Sequence, residues 1–278
     1  MQKITAAVIT YNEESRIERC LKSLTWADEI IVVDSFSTDR TLEICGRFTQ
    51  KVFQHPWPKD YSVQRSRAHQ YASNDWILFI DADEVVTRDL RDEIVSLFDA
   101  TPEADAYGIP RREYFAGKWI EAGGWYPQYK TILYRKSLGE WMNPIHEKVV
   151  TRGKMGCLKS PILHDGYGTF ETFMTKFNQY STMEAERTYQ EGRREKFSFT
   201  KALFKPLERF FGRFIKHKGY KDGVHGFYMA AVIAFNYFLQ EFKFYERLHH
   251  GQNKDSWDKV YRSDAVGADM PADGTKEG

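Results

Sequence analysis

Four short apolar runs alternate with helical patterns over the first hundred residues, and this alternation constrains the fold more than any other feature of the chain. Ile4–Thr10 is β-rich. Asn12-Glu13-Glu14-Ser15 then supplies a turn and a helix start, and Ile17, Cys20, Leu21 and Leu24 recur at helical spacing. Glu29–Asp34 is apolar on both faces, as a central parallel strand requires. A capped helix over 41–48, a strand at 51–53, a helix over 63–71 and a fourth strand at 75–81 complete the series. Such alternation implies right-handed crossovers and a parallel sheet, with ligands at the carboxyl ends of the strands.

Three of those ends carry polar clusters: Thr10-Tyr11-Asn12-Glu13, Asp34-Ser35-Phe36-Ser37 and Asp81-Ala82-Asp83-Glu84. Residues two apart on an extended chain project from one face, so Asp81 and Asp83 can share a hard cation, Mg²⁺ or Mn²⁺, that in turn binds a diphosphate. A bare D-x-D is more often a solvated acidic turn. The strand before it and the other two polar ends favour the metal-binding alternative.

Several classes are excluded. With 40 Lys+Arg against 39 Asp+Glu the net charge is +1, so no global field marks a nucleic-acid binder. The three cysteines form no C-x-x-C pair, which excludes a cysteine zinc site or disulfide scaffold and fits a reducing compartment. No G-x-G-x-x-G follows the first strand, no Gly-rich phosphate loop precedes the first helix, and Val150 breaks the H-E-x-x-H of a zinc protease. The first residues run into a strand without a signal-peptide pattern, and the longest nearly uncharged stretch, 226–240, falls short of the roughly 20 residues that span a bilayer. The expectation is a cytoplasmic protein without a transmembrane helix.

In order, spacing and strand context, the blocks Ile9–Glu14, Ile31–Asp39 and Leu78–Glu84 resemble the family-two inverting glycosyltransferases of the GT-A fold, in particular the bacterial lipopolysaccharide-core β-glucosyltransferases. The resemblance covers about residues 1–165. It implies an α/β GT-A fold, a Rossmann-like nucleotide-binding sheet with a mixed second half, followed by a helical C-terminal region. Thr10, Tyr11, Asn12, Glu13, Asp34, Arg65, Asp81 and Ala82 would bind the UDP-sugar, with Asp34 on the uracil or ribose. Asp81 and Asp83 would hold the metal, joined by His164, with Asp165 as an acceptor for its imidazole. For Arg65 a surface helix position is an equal alternative.

Inverting transfer needs a base near the acceptor hydroxyl. In the family it lies past a glycine-containing acceptor loop, which Gly123-Gly124-Trp125-Tyr126 resembles; a simple hairpin is the alternative. Glu147 is the candidate base. The family more often shows Glu-Asp where this chain reads His146-Glu147, so His146 stays open as a rival.

After residue 169 the chain turns helical, aromatic and basic. Phe199, Leu203, Leu207, Phe210 and Phe214 form a stripe widened by Phe204, Phe211 and Ile215, while Lys201, Lys205, Arg209, Arg213 and Lys216 fall on the other face. Between 193 and 222 ten Lys/Arg face three Asp/Glu. That is the pattern of a helix in an anionic membrane interface, with an amphipathic helix packed on the catalytic domain as the alternative. Domains are therefore expected at 1–168 (GT-A), 169–262 (helical, membrane-associating) and 263–278 (a disordered tail). The expected activity is metal-dependent transfer of a sugar, glucose first, from UDP to a lipid-linked saccharide such as lipopolysaccharide inner core, on the cytoplasmic face of the inner membrane. A polyprenyl-linked acceptor, a non-catalytic membrane-bound scaffold and a homo-oligomer stay open.

Overall fold

The computed structural model describes residues 2–58, 60–142 and 148–250. The strands are β1 (Ile4–Thr10), β2 (Glu29–Asp34), β3 (Val52–Gln54), β4 (Trp76–Asp81), β5 (Glu84–Val86), β6 (Ala106–Phe115), β7 (Lys118–Trp119), β8 (Gln128–Arg135), β9 (Gly139–Met142), β10 (Lys148–Thr151), β11 (Met155–Cys157) and β12 (Ile162–His164). The helices are α1 (Ile17–Lys22), α2 (Thr41–Cys45), α3 (Tyr61–Tyr71), α4 (Arg88–Asp99), α5 (Phe170–Gln190), α6 (Phe199–Phe211) and α7 (Val224–His250).

Two compact units result: residues 1–173 with 212–229, and 174–211 with 230 onward. The sequence places 169–262 in one helical region. The structure instead returns 212–229 to the first unit, where Asp222 accepts the Ala122 N–H at 2.8 Å and the Arg213 guanidinium donates to the Gly123 carbonyl at 2.9 Å. The tail at 263–278 lies outside the described residues.

In the first unit the main sheet runs β3-β2-β1-β4-β8-β6-β12-β5. Its β3-β2-β1-β4 half is parallel, as the alternation requires, whereas β8 is antiparallel to both β4 and β6. Apolar residues on both faces of β1, β2 and β4 allow full burial: Ala6, Val8, Ile31, Val33, Leu78 and Phe79 have no exposed surface. Helix α4 seals the sheet with Leu90, Ile94 and Phe98 on one stripe, its first turn capped by Thr87, whose hydroxyl accepts the Leu90 N–H at 3.1 Å.

Strand β5 leaves β4 through a two-residue turn, yet pairs at the far edge with β12. Register then sets Glu84 and Glu113 on either side of His164. Residues 51–80 positions apart in the chain are thereby gathered beside the Asp81-Ala82-Asp83 turn.

The second unit joins α5 to α7 through Lys243, whose ammonium donates to the Asn178 carbonyl and the hydroxyls of Ser181 and Thr182 at 2.7–2.8 Å. Arg194 adds a two-pronged bond to the Glu241 carboxylate at 2.7 and 2.8 Å.

Candidate active site

The ends of β1, β2 and β4 lie side by side because Thr10 pairs with Asp34 and Ile9 with Asp81. Asp34 is fully buried and accepts the Ser37 N–H at 2.9 Å, the Gln54 amide at 3.1 Å and the Ser37 hydroxyl. Asn12, at φ 52°, donates its N–H to Ser37 Oγ and accepts the Thr38 N–H, both at 2.8 Å. The loops after β1 and β2 are thus laced into one rim. Tyr11 stands 56% exposed on it, while Glu13 is held by Arg16 at 2.7 Å. Thr10 is buried, and its hydroxyl has no hydrogen-bond partner among the described residues.

Helix α3 turns polar residues, Gln64 and Arg65, toward the sheet. Its start is fixed by Asp60, whose carboxylate accepts the Ser62 N–H at 2.7 Å. The Arg65 guanidinium is buried over the faces of Phe79 and Trp141, at 4.7 and 4.8 Å, and lies 2.6 Å from Asp81 Oδ1. Lys130 on β8 reaches Asp81 Oδ2, also at 2.6 Å. Burial opposes ionisation of Asp81, but these two cations win and hold its carboxyl well below the usual carboxylate range. Arg65 is therefore buried rather than a surface helix arginine.

Asp83 faces a different partner. Its Oδ1 lies 3.5 Å from His164 Nε2, while His164 Nδ1 meets Glu113 Oε2 at 2.5 Å. Arg111 Nε pairs with the other Glu113 oxygen at 2.5 Å, and its Nη1 is 3.5 Å from Glu84, which in turn accepts the Asp81 N–H at 2.9 Å. Burial disfavours the charged imidazole, yet the flanking carboxylates raise His164 to about 9. The His164 acceptor is therefore Glu113, not the expected Asp165. The Asp165 carboxylate is drawn off to Arg19 at 2.6 Å, and its N–H donates to the Asp83 carbonyl at 3.0 Å. Glu84 and Glu113 are both fully buried beside this turn; Glu84 belongs to the Asp81–Glu84 cluster, whereas no sequence pattern singles out Glu113.

Among the described residues no three His, Cys, Asp or Glu side chains converge in a metal-ready cluster, and Asp81, expected as a metal ligand, is paired with Arg65 and Lys130. Asp83 and His164 do fit a divalent cation. The Glu113 contact at Nδ1 leaves Nε2 turned to the Asp83 carboxylate, and a carboxylate with an imidazole suits Mn²⁺ or Mg²⁺. The missing side chain at Gly166 keeps this edge open, since a Cβ there would lie 2.4 Å from His164 Nε2. Ala82 is buried in the turn between the two acids.

Gly123 and Gly124 take φ of 68° and 75°, a backbone that favours glycine, in the loop expected to meet the acceptor. Gly123 donates its N–H to the His217 carbonyl at 2.9 Å, and Trp125 is buried under the Arg213 guanidinium at 5.0 Å. Trp119 meets Tyr126 edge to face at 5.4 Å. His146 and Glu147, the candidate bases, lie outside the described residues.

The family profile for "Glycosyl transferase family 2" matches residues 5–155. An uncharacterised glycosyltransferase of Rickettsia felis is 32% identical over 91% of this chain and 93% of its own length. The lipopolysaccharide core biosynthesis glycosyltransferase LpsC of Rhizobium meliloti is 28% identical over 88% of this chain and 92% of its own. A crystal structure of S. aureus TarS with UDP aligns with TM-score 0.47 and 18% identity, covering 90% of this chain and 93% of that one.

Proposed function

This chain belongs to glycosyl transferase family 2, a GT-A glycosyltransferase with C-terminal helices, and on that premise we propose that it transfers a sugar, glucose first, from a UDP-sugar to a lipid-linked saccharide, with inversion and with Mg²⁺ or Mn²⁺. One observation carries the proposal: Asp83 and His164 face each other at 3.5 Å beside the strand ends that carry Thr10 and Asp34. The Thr10 hydroxyl, without a partner among the described residues, and the buried Asp34 carboxylate suit a nucleoside, whose base N–H and ribose hydroxyls need such partners. Asp83 and His164 would hold the cation, with Asp81 beside them as the anchor of Arg65 and Lys130. When bound, that cation supplies positive charge to the departing diphosphate.

The acceptor hydroxyl oxygen attacks the anomeric carbon opposite the diphosphate. The new C–O bond forms as the bond to the diphosphate oxygen breaks, so configuration inverts. Glu147 takes the hydroxyl proton, with His146 as the rival base. In the acceptor loop of Gly123, Gly124, Trp125 and Tyr126, the exposed Gly124 backbone and the half-buried Tyr126 ring would meet the acceptor sugar, with Gly123 and Trp125 packed beneath them. The likeness to LpsC, a lipopolysaccharide core biosynthesis glycosyltransferase, supports lipopolysaccharide core as the acceptor class, with inner core the proposed part, and that acceptor implies a peripheral position on the cytoplasmic face of the inner membrane. No helix among the described residues is long and apolar enough to cross a membrane.

The test is a panel of nucleotide sugars scored for transfer to lipopolysaccharide core acceptors, in wild type and Glu147→Gln. UDP-glucose should be preferred, and Glu147→Gln should bind UDP normally while losing transfer. Normal turnover in that variant moves the base to His146, and a preference for polyprenyl-linked acceptors replaces the acceptor class.

A further inference from the structure

Helix α6 is amphipathic in an inverted sense. Its inward side holds Ala202, 2% exposed, and Arg209, which stacks over Tyr237 at 4.7 Å, while Lys201 flanks that side, exposed and 3.6 Å from Glu241. Its outward side is apolar. Phe199, Leu203, Phe204, Leu207 and Phe211 are 68, 48, 62, 49 and 56% exposed. In a helix meant for water the two sides would be exchanged, and a contiguous apolar stripe of this size marks an interaction surface.

We propose that the helical unit seats on an anionic bilayer through this outward apolar face of α6, with the lysines and arginines serving as braces and peripheral attraction rather than as the docking surface. The proposal rests on the lipid-linked acceptor put forward above. Charge selects the occupant: residues 193–211 carry six Lys/Arg against two Asp/Glu, and with Arg194 and Lys201 sharing the single carboxylate of Glu241 the segment keeps a cationic excess, which suits an anionic lipid surface. Thirteen residues rise only about 20 Å, too short to cross a bilayer but sufficient to lie along its surface. Pro206 sits inside the helix on its packed side, partly shielded from solvent.

The experiment uses the full chain with vesicles of phosphatidylcholine and phosphatidylglycerol, and of phosphatidylcholine alone. Wild type should co-sediment with the mixed vesicles and keep most of its binding at raised salt. Leu203→Ser/Phe204→Ser should lose about tenfold or more of that partitioning, with circular dichroism and UDP–Mn²⁺ binding unchanged. Phe199→Ser/Leu207→Ser provides an independent pair, should the first fail to fold. Vesicle binding that ignores both pairs, or that salt abolishes entirely, overturns the proposal and assigns any docking to the lysines. A fall in mass by light scattering in the variants also overturns it, since a second copy would then be the occupant. Wild type that binds UDP–Mn²⁺ but no vesicles contradicts the docking face alone, whereas absent UDP binding contradicts the glycosyltransferase site itself.

Discussion

Glu113 Oε2 lies 2.5 Å from His164 Nδ1, and this contact turns the opposite edge of the imidazole, Nε2, toward Asp83. The pair arises from register: β12 runs parallel to β6 with His164 opposite Glu113. A carboxylate behind a ligating histidine fixes ring orientation and strengthens the ligand. Glu113→Gln should therefore weaken Mn²⁺ binding in the presence of UDP by about 10- to 100-fold. Calorimetry reads the loss, and circular dichroism should show the fold retained.

The two acids of the Asp81-Ala82-Asp83 turn should give different phenotypes. Removing the Asp81 carboxylate takes a buried counter-charge away from the Arg65 guanidinium and from Lys130, so Asp81→Ala should cost about 3–5 kcal/mol of stability. Asp83→Ala removes the carboxylate that faces His164 Nε2 at 3.5 Å, and should abolish metal-dependent UDP binding. Urea midpoints and calorimetry on both variants separate the two roles.

Gly166→Ala should act on His164 without removing any polar group. The new Cβ would lie 2.2 Å from the ring Cε1, so the imidazole must shift from Asp83. Mn²⁺–UDP affinity should fall by about tenfold or more, measured by the same titration.

Far from the site, Glu29 governs part of the acid response. Burial opposes its ionisation, but Lys51, the Thr5 hydroxyl and the Ser73 N–H and hydroxyl bring the carboxyl down to about 2. Its folded pKa is below the unfolded one, so its contribution is present above about pH 4.5 and is lost as pH falls toward 2. Glu29→Gln should be less stable than wild type at neutral pH by about 1–3 kcal/mol. Thermal midpoints of the two proteins should converge as the pH approaches 2.

The strand ends were legible because short both-face apolar runs alternating with helical patterns favour a buried parallel sheet, and the polar residues closing Ile4–Thr10, Glu29–Asp34 and Trp76–Asp81 fall where such a sheet binds ligands. Arg65 stayed ambiguous because α3 has almost no apolar face; what draws the guanidinium inward is Asp81 with the rings of Phe79 and Trp141. Glu113 left no local signal, since its meeting with His164 depends on pairing between strands 51 residues apart. On α6 the spacing revealed the apolar stripe but not that it faces outward, because orientation follows from where Ala202 and Arg209 pack.

The most direct measurement of the central claim is anomalous diffraction from a crystal of the full chain with Mn²⁺ and UDP. The account predicts a manganese peak within direct coordination distance of the Asp83 carboxylate and His164 Nε2, with UDP lying along Thr10 and Asp34. A well-ordered UDP and metal bound away from Asp83 and His164 would contradict it.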